Sequence, residues 1–133
     1  MSLQLLIVDD DTTIKILHKA IVIRSNLSLT PLTFSDGKEV LDYLNESAKE
    51  EDNYLILLDI NMPVMSGWEF LKEIQTATYA NRLYVIMVTS SVDSGDKVKS
   101  ETFPQVIGYF EKPLRVDSCN NIKLIPGIEK YYS

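Results

Sequence analysis

The chain is short of the residues that several common chemistries need. A single cysteine, Cys119, excludes an internal disulfide and the small cross-linked secreted scaffolds, so a reducing, cytoplasmic setting fits. A single histidine, His18, leaves no second imidazole for a histidine-based metal site. The five glycines are scattered, and none belongs to a G-x-x-x-x-G-K-[ST] phosphate loop, which removes the simplest nucleotide-binding reading. No apolar run approaches a bilayer span: Leu3 to Val8 is interrupted by Gln4, lacks a basic flank and ends in three aspartates. Positive charge is scarce as well. The formal net charge of −6 argues against direct binding to nucleic-acid backbones and against acidic partner surfaces.

What remains is an ordinary globular balance, 45% apolar and 24% charged residues, which builds a core without disulfides or metals. A length of 133 residues fits one domain, 1–133, with no second domain after it. Apolar runs of strand length alternate with stretches of helical period. Leu5–Val8, Tyr54–Leu58, Leu83–Val88 and Ile107–Phe110 read as buried strands. Leu29–Phe34 reads as a weaker strand that Pro31 shortens or confines to a sheet edge. Helical spacing marks Thr12–Arg24, then Val40, Leu41 and Leu44 after Asp36-Gly37, then Phe70, Leu71 and Ile74 after the Pro63–Gly67 loop. Val92–Phe103 is polar and weakly periodic, a loosely held fourth helix. The tail carries a fifth, broken or kinked near Pro126-Gly127. Five strands alternating with five helical stretches predict a parallel α/β sheet covered by helices on both faces, in one of a few doubly wound topologies.

In such a sheet, ligands gather at the carboxyl ends of the strands. Asp9, Asp10 and Asp11 follow the first strand, and Asp59, Ile60 and Asn61 the third. Thr89, Ser90 and Ser91 follow the fourth, and Glu111, Lys112 and Pro113 close the fifth. Taken singly, these residues have plainer readings: aspartates cap helices and form turns, and a lone lysine is a solvated cation. Their conjunction on one rim is informative. Clustered carboxylates repel unless a cation joins them, and an oxygen-only set suits Mg²⁺. A carboxylate kept ionised there can attack phosphorus, while a lysine and a hydroxyl neutralise the charge that spreads over the phosphoryl oxygens.

The runs Leu5-Leu6-Ile7-Val8-Asp9-Asp10-Asp11 and Leu57-Leu58-Asp59-Ile60-Asn61-Met62-Pro63-Val64-Met65-Ser66-Gly67 resemble the receiver domains of two-component response regulators. Val88-Thr89-Ser90-Ser91 and Gly108-Tyr109-Phe110-Glu111-Lys112-Pro113-Leu114 match that family's remaining signatures, in order and across essentially the whole chain. The resemblance implies a flavodoxin-like (βα)5 three-layer sandwich with strand order 2-1-3-4-5. It implies that Asp59 is the phosphoacceptor and that Mg²⁺ is held by Asp10 directly, by Asp9 through a water, by Asp59 and by the backbone carbonyl of Asn61. Thr89 and Lys112 would then stabilise the phosphoryl group, with a cis Lys112–Pro113 peptide. Tyr109 would turn inward as Thr89 moves, and Asn61 and Ser91 would tune dephosphorylation. The implied partners are a sensor histidine kinase or histidine phosphotransfer protein and a downstream protein target, met through the surface of the fourth helix, fifth strand and fifth helix.

Two features depart from the family pattern. The fourth helix is short of apolar residues and is weakened by Gly95 and Pro104, and the interrupted tail leaves homodimerisation through the fifth helix open. Two rivals belong to other classes. A phosphohydrolase of the haloacid dehalogenase kind also uses an aspartyl nucleophile, but it expects a second aspartate where Asn61 stands. A pseudo-receiver that binds partners without phosphorylation would not need the acids, hydroxyl and lysine that are all present here.

Overall fold

A computed structural model describes residues 2–47, 52–90 and 93–132. Its centre is a parallel sheet of five strands, β1 (Ser2–Val8), β2 (Leu32–Phe34), β3 (Asp52–Leu58), β4 (Leu83–Thr89) and β5 (Val106–Glu111), in the order β2-β1-β3-β4-β5. The helices α1 (Thr12–Arg24), α2 (Gly37–Ser47), α3 (Gly67–Glu73), α4 (Ser94–Ser100) and α5 (Val116–Ile122) alternate with the strands. This is the flavodoxin-like arrangement that the family resemblance implies. No helix among the described residues is long and apolar enough to cross a membrane.

Strand alternation sorts the core into two layers. Leu6, Val8, Ile56, Leu58, Val85 and Met87 face one side, where Val40 and Leu44 of α2 and Phe70 and Leu71 of α3 cover them. Leu5, Ile7, Leu55, Leu57, Ile86 and Val88 face the other, against Val22 of α1 and Cys119 and Ile122 of α5. Because β1 and β3 are buried on both faces, their sequences read as unbroken apolar runs.

Several boundaries differ from those read in the sequence. β1 and β3 extend each other at their polar starts, pairing Ser2 with Asp52 and Leu3 with Asn53. β2 keeps only three residues, because Pro31 supplies no ladder donor and the chain before it lies outside the sheet. β4 runs on to Thr89, which pairs with Glu111, so Thr89 is the last residue of its strand rather than the first beyond it. α3 ends at Glu73, and Ile74 continues in a 3₁₀ turn while fully buried. Within the expected fourth helix, α4 occupies Ser94–Ser100, capped by the Asp93 side chain, which accepts from the Gly95 N–H at 2.8 Å. Val92 lies outside the described residues. α5 stops at Ile122, before Pro126; the tail then turns, with Gly127 at a φ of 96°, and inserts Ile128 into the core.

Candidate functional site

Asp9 and Asp59 leave adjacent central strands at the same level, since Val8 pairs with Leu58 and the Asp59 N–H donates to the Val8 carbonyl at 3.1 Å. Both side chains are buried; the residues are 3% and 5% exposed. Each has one oxygen held by backbone: Asp9 Oδ1 accepts from the Asp11 N–H at 2.9 Å, and Asp59 Oδ1 from the Ile60 N–H at 2.8 Å. Those bonds fix the carboxylates so that each turns its Oδ2 to the same cation. Lys112 Nζ lies 2.6 Å from Asp9 Oδ2 and 3.0 Å from Asp59 Oδ2.

Burial and charge oppose each other here. Burial pushes the Asp59 carboxyl above its ordinary pKa, aided by the nearby Asp9 charge, and the hydrogen bond from Lys112 reverses only part of that. Burial works against the charge on Lys112, but its hydrogen bonds to Asp9 and Asp59 outweigh it and hold its pKa above the usual lysine value. One cation thus serves two buried anions, which leaves the pocket short of positive charge.

Asp10 is exposed and completes an acidic triad: carboxylate oxygens of Asp9, Asp10 and Asp59 lie within 4.8 Å of one another. An all-oxygen donor set of that spread fits a small hard cation whose shell is completed by water. Asp11, beside it, takes the plainer role of helix cap, its carboxylate accepting from the Ile14 N–H at 3.1 Å. Asn61 is exposed, two residues past Asp59. Thr89 is buried at the end of β4, and its carbonyl accepts from the Lys112 N–H at 2.9 Å, so the hydroxyl-bearing strand also anchors the lysine. Tyr109 pairs with Met87, two steps before the Thr89–Glu111 pair on the same face, and packs half-buried against the core. The Lys112–Pro113 peptide is cis. Ser91 lies outside the described residues.

Other contributors lie outside the residues gathered from the strand ends. A Cβ at Gly67 would overlap the Asp59 carbonyl oxygen and fall 3.1 Å from Ile60 Cα, so the start of α3 packs directly on the backbone of Asp59. Ser66 and Glu69 form a capping box there, a signature legible as S-x-x-E. Val64, 75% exposed, holds a φ of 67°, a left-handed conformation that a β-branched residue rarely adopts. Trp68 stacks on Phe103 with ring centroids 6.2 Å apart, and Lys99 lies over its face at 4.5 Å, joining this loop to α4. His18, read only as too solitary for a metal site, is buried and accepts a hydrogen bond from the Leu114 N–H. Its signal was a polar residue on the apolar face of α1.

A flavodoxin-like sheet with carboxylates, a hydroxyl and a lysine converging on the carboxyl rim defines a class of phosphoryl-accepting α/β switches. The chain belongs to the response regulator receiver domain family, whose model matches residues 5–122. It is 33% identical over 100 residues to the hybrid signal transduction histidine kinase I of Dictyostelium discoideum, covering 72% of this chain but only 6% of the kinase. It is 26% identical over 131 residues to the response regulator Rcp1 of Synechocystis, covering 96% of this chain and 87% of Rcp1. Among solved structures, a two-component response regulator from Cytophaga hutchinsonii superposes with a TM-score of 0.82 at 28% identity, covering 92% of this chain and 94% of the other. Receiver domains bind Mg²⁺ at an acidic pocket and interact with histidine kinases and downstream targets.

Proposed function

We propose that residues 1–133 form one receiver unit, acting in the cytoplasm, in which Asp59 accepts a phosphoryl group from a phosphohistidine on a kinase or phosphotransfer protein. The observation that carries this reading is the pair of buried carboxylates sharing one lysine, with Asp10 within reach of both. Mg²⁺ held by Asp9, Asp10, Asp59 and the Asn61 carbonyl would supply the positive charge that lets the donor's phosphoryl oxygens approach these acids. Asp59 Oδ2 forms the new P–O bond as the P–N bond breaks, its electron pair leaving with the imidazole. The Ile60 N–H keeps the other Asp59 oxygen engaged and so aims the nucleophile. Lys112 shifts its contact from the carboxylate to the phosphoryl oxygens, and the Thr89 hydroxyl donates to one of them. Tyr109 follows Thr89 inward, and Asn61 and Ser91 set how readily water removes the group.

Output is a protein contact. A groove of 380 Å³ runs over β5 between Lys97 of α4, Glu101 just past its end and Ile125 of the tail, where a shift of Tyr109 would be felt. The test is to incubate the chain with Mg²⁺ and acetyl phosphate and weigh it. A single phosphoryl adduct that disappears in Asp59→Asn supports the reading; no adduct with donor and metal in excess favours a pseudo-receiver, and sustained phosphate release favours a hydrolase.

A further inference from the structure

We propose that His18 is a positioning residue for Lys112: by accepting the Leu114 N–H it fixes the Lys112-Pro113-Leu114 turn at the height from which the ammonium reaches both carboxylates. The inference rests on the phosphoacceptor reading above. Every backbone donor of that turn has its own acceptor. The Lys112 N–H goes to the Thr89 carbonyl at 2.9 Å, Pro113 has none, and the Arg115 N–H goes to Ser118 Oγ at 3.3 Å. The Leu114 N–H goes to His18 Nε2 at 3.0 Å, from a helix 96 residues away in sequence.

Leu114 is fully buried and His18 is 2% exposed, so water cannot substitute for this bond. A backbone amide only donates, so Nε2 is the acceptor and the ring proton sits on Nδ1. Burial favours this neutral form, with the Asp9 charge opposing and the Lys112 charge adding to it. The turn is therefore pinned at both ends, to β4 before the proline and to α1 after it. An apolar residue at position 18 would pack equally well on this face of α1, yet would release the second pin.

The experiment uses two amide variants of equal polarity that differ in reach. In His18→Gln the side-chain oxygen occupies the place of Nε2; in His18→Asn it falls one bond short. With acetyl phosphate at saturating Mg²⁺, His18→Asn is expected to be phosphorylated up to about a hundredfold more slowly, the scale of a catalytic group displaced by about 1 Å. His18→Gln should stay near the wild-type rate, and Mg²⁺ affinity should hold in both. In a Lys112→Ala background, His18→Asn should cause no further slowing, since its effect passes through the lysine. Equal rates for the two amides, or the same slowing without Lys112, would overturn the proposal. Should His18→Asn not fold, ¹⁵N NMR of the wild-type imidazole decides the matter, because a proton found on Nε2 is incompatible with the bond. A wild-type chain that takes up no phosphoryl group overturns the phosphoacceptor reading itself.

Discussion

Replacing Lys112 by methionine keeps most of its length and deletes its charge, leaving Asp9 and Asp59 buried without a counterion. Removing one partner of a buried ion pair costs roughly 3–5 kcal/mol. Lys112 is slightly exposed, at 13%, and Asp59 can take up a proton, so the low end applies: about 3 kcal/mol in the absence of divalent metal, or roughly 10 °C in melting temperature. Mg²⁺ then acts unequally on the two proteins. Ligand at about a hundredfold its dissociation constant stabilises by about 2.7 kcal/mol. Without the competing ammonium, the variant binds Mg²⁺ more tightly and gains more than the wild type at any given concentration. Urea titrations followed by far-ultraviolet circular dichroism, in EDTA and in increasing Mg²⁺, should show the gap between the proteins narrowing. The direction with pH follows from Asp59. Burial raises its pKa in the folded state, so the folded chain holds that proton more tightly than the unfolded one, and the cost of the buried anion is relieved as pH falls through the raised value. Lys112 opposes that rise, so its loss raises the Asp59 pKa further and the deficit shrinks as pH falls through that raised value. Equal stability of the two proteins in EDTA, or a gap that Mg²⁺ leaves unchanged, would refute the idea that one lysine is the shared counterion of both acids.

Val64→Asn should raise stability by about 1 kcal/mol, because asparagine tolerates the left-handed region and an exposed valine gives up no packing; an unchanged or lowered urea midpoint contradicts this. Gly67→Ala should destabilise by roughly 3 kcal/mol and depress phosphorylation, since the new methyl meets the Asp59 backbone rather than a side chain that can move; wild-type stability in this variant would show that the contact yields. Trp68 fluorescence should respond to Mg²⁺ and lose that response in Asp10→Ala, whereas a full signal in the variant would rule Asp10 out as a metal ligand.

The residues that place the candidate site were legible because topology acts on sequence in a simple way. A parallel sheet sends every carboxyl end to one rim, so Asp9, Asp59, Thr89 and Lys112 could be gathered from strand positions alone. Central strands buried on both faces, such as Tyr54–Leu58, announce themselves by unbroken apolarity. Features that depend on distant partners were not legible. Nothing local to His18 names Leu114 as its donor, and valine is a poor marker for the left-handed turn at position 64. The exact end of α5 is hidden for a similar reason. Proline and glycine at 126 and 127 advertise a break, but the helix stops at Ile122, where Lys123 turns to the Ser25 carbonyl and the chain feeds Ile125 and Ile128 inward.

The same tertiary logic bears on how a change at Asp59 would leave the pocket. α4 has seven residues, of which Ser100 alone is buried, and a helix so short has little stability of its own. Just past its far end Phe103 packs on the core and stacks on Trp68, and Lys99 of its last turn lies over that ring. Trp68 belongs to the first turn of α3, whose first residue, Gly67, rests on the Asp59 backbone. On the phosphoacceptor reading, a displacement of the Asp59 loop would reach α4 through this aromatic stack. A better-packed fourth helix would demand more free energy from the phosphoryl group before it moved. On the proposed phosphoacceptor reading, the polar, weakly periodic stretch that looks like a defect in the fold would let a local change of charge be read at the surface.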